Sequence, residues 1–351
     1  MDQSTSSSTR ATLSLLDFCT VRDNETAGES MQRSVELAQT GERLGFDRVW
    51  YSEHHNMPSI ASSSPAVLIS HIAAKTEKIR LGAGGVMLPN HSPYVIAEQF
   101  GTLAELYPDR IDLGLGRAPG TDQQTLGAAL RRDPRAADNF PNDVLELQGY
   151  LAGKPVIPGV TAVPGAGTNV PLYILGSSMF GASLAAKIGL PYSFASHFAP
   201  THLVEATKYY RENFQPSEYC EEPYVIAAVN VTASDSEEDA ARQTELVHRA
   251  RVRALLGRQG RVLSEEQLDA VMNAPQGQQI VGMLRYTAQG TSEQITDYLE
   301  QFQELSGADE LMISLQSPTH EESLRSMEIL SDAWAQRALT LSTTLMGSSL
   351  K

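Results

Sequence analysis

A chain of 351 residues with 41% hydrophobic and 20% charged residues is long enough to bury a large core, as two domains or as one α/β barrel with insertions. Its 42 acidic against 27 basic residues leave a formal charge of −15, which argues against nucleic acid or anionic membrane as partners; any phosphate must be met by local donors. Cys19 and Cys220 are too few for a disulfide framework or a metal knuckle, and no apolar run approaches a membrane span, so a reduced, cytoplasmic setting is expected.

Residues 1–10, rich in Ser and Thr at their start, are expected to form a disordered N-terminus. A short apolar strand is predicted over 13–18. A helix over 31–44 follows, with Met31, Val35, Leu37, Ala38 and Leu44 on a broad face and Gly45 as its stop. The second strand, 47–52, runs into Glu53-His54-His55. Pro65 opens a helix with Val67, Leu68, Ile69 and Ile72 on its apolar side. The third strand, from Ile79 to Pro89, carries Gly82, Gly84 and Gly85, and glycine inside a strand marks a bulge or a close approach of ligand to backbone.

A helix over 93–106 leads to the fourth strand, 110–117, ending in Gly116-Arg117. A helix is predicted over 142–151, a Gly- and Pro-rich loop or hairpin over 159–170, and a fifth strand over 172–176, followed by a helix that includes 183–188. The sixth strand is 192–195, then a helix over 201–214, and the seventh strand is 224–231. The eighth is 311–315, before a terminal helix over 323–339 and a tail from 341 to 351. Eight strand–helix alternations are the count of a (β/α)8 TIM barrel over 11–340. A doubly wound sheet would carry a glycine fingerprint after its first strand, and Asp17-Phe18-Cys19-Thr20 is not one.

Between strands 7 and 8 the spacing breaks. A long amphipathic helix over 236–256 precedes a polar, Gln-rich insertion, 257–290, with one short helix over 264–272 opened by a Ser264/Gln267 capping box. Thr291, with Gln294 three residues on, restarts the regular pattern. Such an insertion is either a lid over a barrel site or a surface excursion without a role.

Barrel chemistry sits at the C-terminal strand ends. Neighbouring side chains on a strand point to opposite faces, so His54 and His55 do not converge on one metal ion, and no metal is expected. One imidazole should face the barrel mouth as a proton handler while the other packs. Gly176-Ser177-Ser178, at a helix start, offers hydroxyls and free N–H groups to a phosphate, and Arg117 offers a cation; ordinary N-capping by Ser178 is the rival reading. Together with Gly84-Gly85 as a backbone shelf, these describe a planar cofactor with a phosphate tail, such as FMN.

Trp50-Tyr51-Ser52-Glu53-His54-His55, the run from Leu81 to Pro89, Arg110-Ile111-Asp112-Leu113-Gly114-Leu115-Gly116-Arg117 and Leu175-Gly176-Ser177-Ser178 resemble, in order and spacing, the bacterial luciferase-like family of flavin-dependent monooxygenases. The resemblance spans roughly 13–330. It implies a non-proline cis peptide at Gly84-Gly85 bracing the isoalloxazine, a catalytic His54, and phosphate contacts from Arg117 and Ser178. Gly116, Gly176 and Ser177 are included among the cofactor-binding residues. Ser177 replaces an acidic residue of luciferase, and Gly116 replaces its reactive cysteine, so bioluminescence is not expected.

The implied reaction uses reduced FMN and O₂ to oxygenate a small aldehyde-, sulfonate- or thioether-like substrate. Phe18, His197 and Phe198 would line the substrate side, with a separate flavin reductase as functional partner. A homodimer is expected through helices near 66–75 and 95–106. The alternatives are a deazaflavin-dependent hydride-transfer oxidoreductase and a non-catalytic flavin-binding protein.

Overall fold

The computed structural model describes residues 10–256 and 263–348. Among these, nine strands are β1 (Thr12–Asp17), β2 (Arg48–Tyr51), β3 (Arg80–Met87), β4 (Ile111–Gly116), β5 (Leu172–Gly176), β6 (Tyr192–Phe194), β7 (Val225–Ala233), β8 (Thr287–Gly290) and β9 (Glu310–Leu315). All pair in parallel. Eight close on themselves in the order β1-β2-β3-β4-β5-β6-β7-β9, which is the expected (β/α)8 barrel.

β8 is outside that expectation. It pairs with Asn230–Ala233 of β7, on the edge that β6 occupies lower down at Val225–Ala227. Its sequence, Thr-Ala-Gln-Gly, has only four residues and two small buried ones, too little apolar alternation to read as a strand.

Helices α1 (Ala27–Leu44), α2 (Pro65–Ala73), α3 (Pro93–Leu106), α4 (Phe140–Leu151), α5 (Met179–Ile188), α6 (Leu203–Asn213), α7 (Glu237–Leu256), α10 (Ser292–Ser306) and α11 (His320–Ser348) lie between or after the strands. α1 begins in a Thr26/Glu29 capping box and ends at Gly45 in the left-handed conformation. α11 runs beyond the expected end near Leu339, because no glycine or proline interrupts it before Gly347. Arg10, placed in the frayed terminus by the sequence, stacks on Trp334 at 3.5 Å and hydrogen-bonds Glu300.

The insertion contains α8 (Glu265–Met272), opened by the expected Ser264/Gln267 box, and a further helix, α9 (Pro275–Gly282). Val252 of α7, Leu268 of α8 and Ile280 of α9 form a small core of their own, so this part is folded structure rather than loop. Residues 257–262 of the predicted lid lie outside the described residues.

Side chains alternate between two apolar bodies, as the pleat requires. The larger fills the space between strands and helices, while Trp50, Tyr173, Ile226, Ala228 and Met312 fill the barrel interior with Leu16, Leu175 and Tyr224. Gly82 makes that filling fit: a Cβ there would stand 2.7 Å from both Trp50 Nε1 and Asp112 Cβ.

Below Trp50 lies a charged layer. Arg48 Nη1 donates to Asp112 Oδ2 at 2.7 Å and to the Tyr173 hydroxyl at 2.8 Å, and Arg80 pairs with the same Asp112. Arg48 Nε lies 3.0 Å from Glu310 Oε1 without hydrogen-bond alignment, and the Tyr224 hydroxyl donates to Glu310 Oε2. Burial opposes the Arg48 charge, but Asp112 and Glu310 more than offset it.

Removing one partner of a buried pair leaves an uncompensated charge. Asp112→Ala is expected to lower unfolding free energy by about 3–5 kcal/mol, with Asp112→Asn intermediate, in urea titration followed by circular dichroism. A loss under about 1 kcal/mol, the range of exposed pairs, would show the layer to be water-screened.

Candidate functional site

The barrel mouth is the C-terminal end of the strands. At the end of β2, alternation sends Glu53 and His54 in different directions. Glu53, fully buried, accepts hydrogen bonds from His55 Nε2 (2.9 Å), His91 Nε2 (2.8 Å) and the Met87 N–H (3.0 Å). Burial alone would raise its carboxyl, but those bonds hold it down at about 2. His55 is therefore the packing histidine, and its partner Glu53 was not singled out in the sequence.

His54 faces the other way, its ring 6.0 Å from that of Phe18. Its Nδ1 shares a 3.1 Å hydrogen bond with Ser52 Oγ, and its Nε2 has no protein partner among the described residues. Burial pushes its pKa below the ordinary value, more than the nearby Glu53 raises it, so the ring is held towards its neutral form.

On β3, Ala83 to Val86 advances three residues while the facing β4 advances two, from Leu113 to Leu115. This is the expected bulge, and the Gly84-Gly85 peptide within it is cis. The glycines are needed by the protein's own packing: a Cβ on Gly84 would lie 2.9 Å from Trp50 Cβ, and one on Gly85 would lie 2.6 Å from the Gly114 carbonyl oxygen. Gly84 alone of the two retains exposure. Gly116 likewise yields to Met87, and Gly176 packs beside Gly181 and Tyr192.

Arg117, at the end of β4, is exposed and places its guanidinium 3.8 Å from the Phe180 ring. Phe180 is the second residue of α5, so the cation stands at that helix's first turn. Ser178 occupies the N-cap position there, yet its side chain makes no capping hydrogen bond. Ser177 adjoins it and is part-buried. The structure thus brings Arg117, Ser177 and Ser178 to one helix start with hydroxyl and N–H donors unspent, an arrangement that can hold a phosphate. Residues 118–139 ride over this rim, where Gly120 O accepts from His55 N and Arg132 bridges Asn90 Oδ1 and Arg117 O.

At the opposite wall, Phe18 sits between His54 and His197, 5.9 Å from the latter, and Phe198 meets His197 edge-on at 4.9 Å. The three residues expected on the substrate side are therefore together, with His54 beside Phe18. His197 is buried with no partner for Nδ1, and burial drives its pKa down to about 3. Asn230 of β7 donates to His197 O at 2.8 Å and leaves its own Oδ1 unpaired.

Arg251 of α7, half-buried with Nε sealed and unpaired, lies near enough for its charge to depress both imidazoles. Asn230 is visible in sequence as the lone polar residue of an apolar run. Arg251 has no such signal, being one of four arginines on an amphipathic helix.

Among the described residues no helix is long and apolar enough to cross a membrane. Residues 12–309 match the family model described as luciferase-like monooxygenase. A luciferase-like monooxygenase of Escherichia coli (strain K12) is 42% identical over 320 residues, 91% of this chain and 96% of the relative. An N-acetyl-S-alkylcysteine monooxygenase of Bacillus subtilis (strain 168) is 33% identical over 337 residues, covering 92% and 97%. The crystal structure of apo-MsnO8 superimposes with a TM-score of 0.82 at 32% identity, covering 93% of this chain and 99% of that one. The chain belongs to the luciferase-like monooxygenase family of flavin-dependent oxidoreductases.

Proposed function

We propose that the protein holds reduced FMN across the ends of β3, β4 and β5 and uses it with O₂ to oxygenate a small organic substrate. The observation that carries this reading is the idle Ser178 hydroxyl at the start of α5, with the Arg117 guanidinium against the same turn. Ser177, Ser178, Arg117 and the α5 N–H groups would take the phosphate, with Gly116 and Gly176 leaving the backbone room beside them. The flavin supplies two electrons, so that one oxygen atom enters the substrate and the other leaves as water.

His54 is the proton handler in this proposal, taking up or returning a proton at Nε2 while Ser52 steadies Nδ1. Phe18, His197 and Phe198 shield the reacting centre from water. Members of the family bind FMN or the deazaflavin F420. The acidic balance of this chain favours FMN, because the longer acidic tail of a deazaflavin needs further basic contacts.

The relative named for N-acetyl-S-alkylcysteine makes thioethers the first substrate class to test, ahead of aldehydes and alkanesulfonates. The sequence carries no dinucleotide fingerprint, so a separate reductase would supply reduced flavin. Val67 on α2 and Val95 and Leu106 on α3 are exposed apolar side chains on the helices proposed to form a homodimer. The insertion, reaching the mouth through α7, is the proposed cover.

Labelled O₂ given to the FMN-reduced protein with thioether substrates is expected to place one labelled atom in the product, read by mass spectrometry; hydride transfer alone would leave the product unlabelled. Ser178→Ala and Arg117→Ala are each expected to weaken FMN binding about tenfold in fluorescence titration. Wild-type affinity in both would move the phosphate elsewhere. Because burial lowers the His54 pKa, its neutral form persists below about pH 6.5, and turnover should fall only as pH drops through that depressed value. An acid limb unchanged in His54→Asn would remove His54 from this role.

A further inference from the structure

α7 carries four arginines, and three have obvious work. Arg242 pairs with Asp239 and Glu322, Arg249 with Glu265 and Asp269, and Arg253 with Glu265. Arg251 sits two residues from both Arg249 and Arg253, hence about 200° around the helix and away from that acidic surface. It makes no hydrogen bond or ion pair among the described residues. The undescribed stretch 257–262, Gly-Arg-Gln-Gly-Arg-Val, contains no acidic residue to pair it.

An arginine half out of water without a carboxylate is costly to keep, and a chain with 42 acidic residues has had ample means to neutralise it. Its helix packs against β7 and β8, which pair from Asn230 onward beside the aromatic mouth. His54 and His197 both sense its charge, the His197 Nδ1 and Asn230 Oδ1 are left unpaired, and Phe18 and Phe198 supply apolar faces. Arg117 stands instead against Phe180 at the start of α5, so the two cations serve different ends of the mouth.

We propose that Arg251 is a specificity-determining residue whose guanidinium pairs with an organic oxyanion, a carboxylate or sulfonate, on a substrate whose apolar part lies against Phe18 and Phe198. A carboxylate or sulfonate matches the planar fork of a guanidinium with two parallel hydrogen bonds, and the partly dry setting strengthens them. The neutral His54 and His197 add no competing positive charge. This inference rests on the mouth being the substrate site, as the proposed function has it, but not on the redox chemistry performed there.

The test is calorimetric binding to the full chain of three matched thioethers: (phenylthio)acetate, (phenylthio)methanesulfonate and the neutral (phenylthio)acetamide. At least one oxyanion should bind about tenfold or more tighter than the amide. Arg251→Met should abolish that preference while leaving amide affinity unchanged, and Arg251→Lys should retain part of it. The Met variant should melt no lower than wild type, since it removes an unpaired charge from a half-buried position.

No oxyanion preference in the wild type, no measurable oxyanion binding, or a preference that survives Arg251→Met would each overturn the proposal. Intact discrimination with no label transfer from O₂ would sink the oxygenase reading and leave this one standing.

Discussion

Arg48 carries a full charge inside a closed barrel, and the fold has to answer for it. Asp112 from β4, Glu310 from β9 and the hydroxyl of Tyr173 from β5 surround a guanidinium contributed by β2. Four strands are thereby tied across the interior rather than only along their edges. A pair of this kind is poor evidence of net stability, but it is demanding about geometry, because each group left alone would be a buried charge. It also fills the N-terminal end of the barrel interior, beneath Trp50.

The glycines of β3 follow from that filling. Trp50 lies directly above Asp112 and spreads across the barrel interior, and Gly82 and Gly84 are the positions where any side chain would strike it. Gly85 lets the bulged strand approach the Gly114 carbonyl of β4. A glycine cluster that reads as a shelf for a ligand is thus required first by the protein's own indole and backbone. Its service to a flat cofactor would be an additional use of a surface that packing had already stripped.

Much of the barrel was legible because parallel strands buried on both faces leave apolar runs, and the runs alternate with helical periods. That one of His54 and His55 faces the mouth while the other packs was legible from the pleat; which of them does so came from the family resemblance. The bulge at Gly84 and Gly85 was legible from composition. What escaped has a common physical cause. β8 owes its existence to a partner strand, since Thr-Ala-Gln-Gly has little strand signal of its own. Glu53 is held by His91 from another loop, and the Arg48 layer joins residues from opposite ends of the chain. Arg251 looks like its three neighbours until the helix is wound and only one of them turns inward. Periodicity reports which face is apolar; it is silent on which charge on the other face will find no mate.

The departure of β7 from β6 changes the wall above it. Beyond Ala227 the β6–β7 backbone ladder stops, and β8 takes the vacated edge from Asn230 onward. Across the intervening seam the rim is stitched by two side chains, Ser196 Oγ to the Ala228 carbonyl at 2.5 Å and Asn230 Nδ2 to the His197 carbonyl at 2.8 Å. Below the seam this joint is welded by main chain like the other seven of the cylinder; above it, side chains button it. The rim beside His197 is therefore held by a hydroxyl and an amide, groups that a single base change can lengthen, shorten or delete without touching the frame.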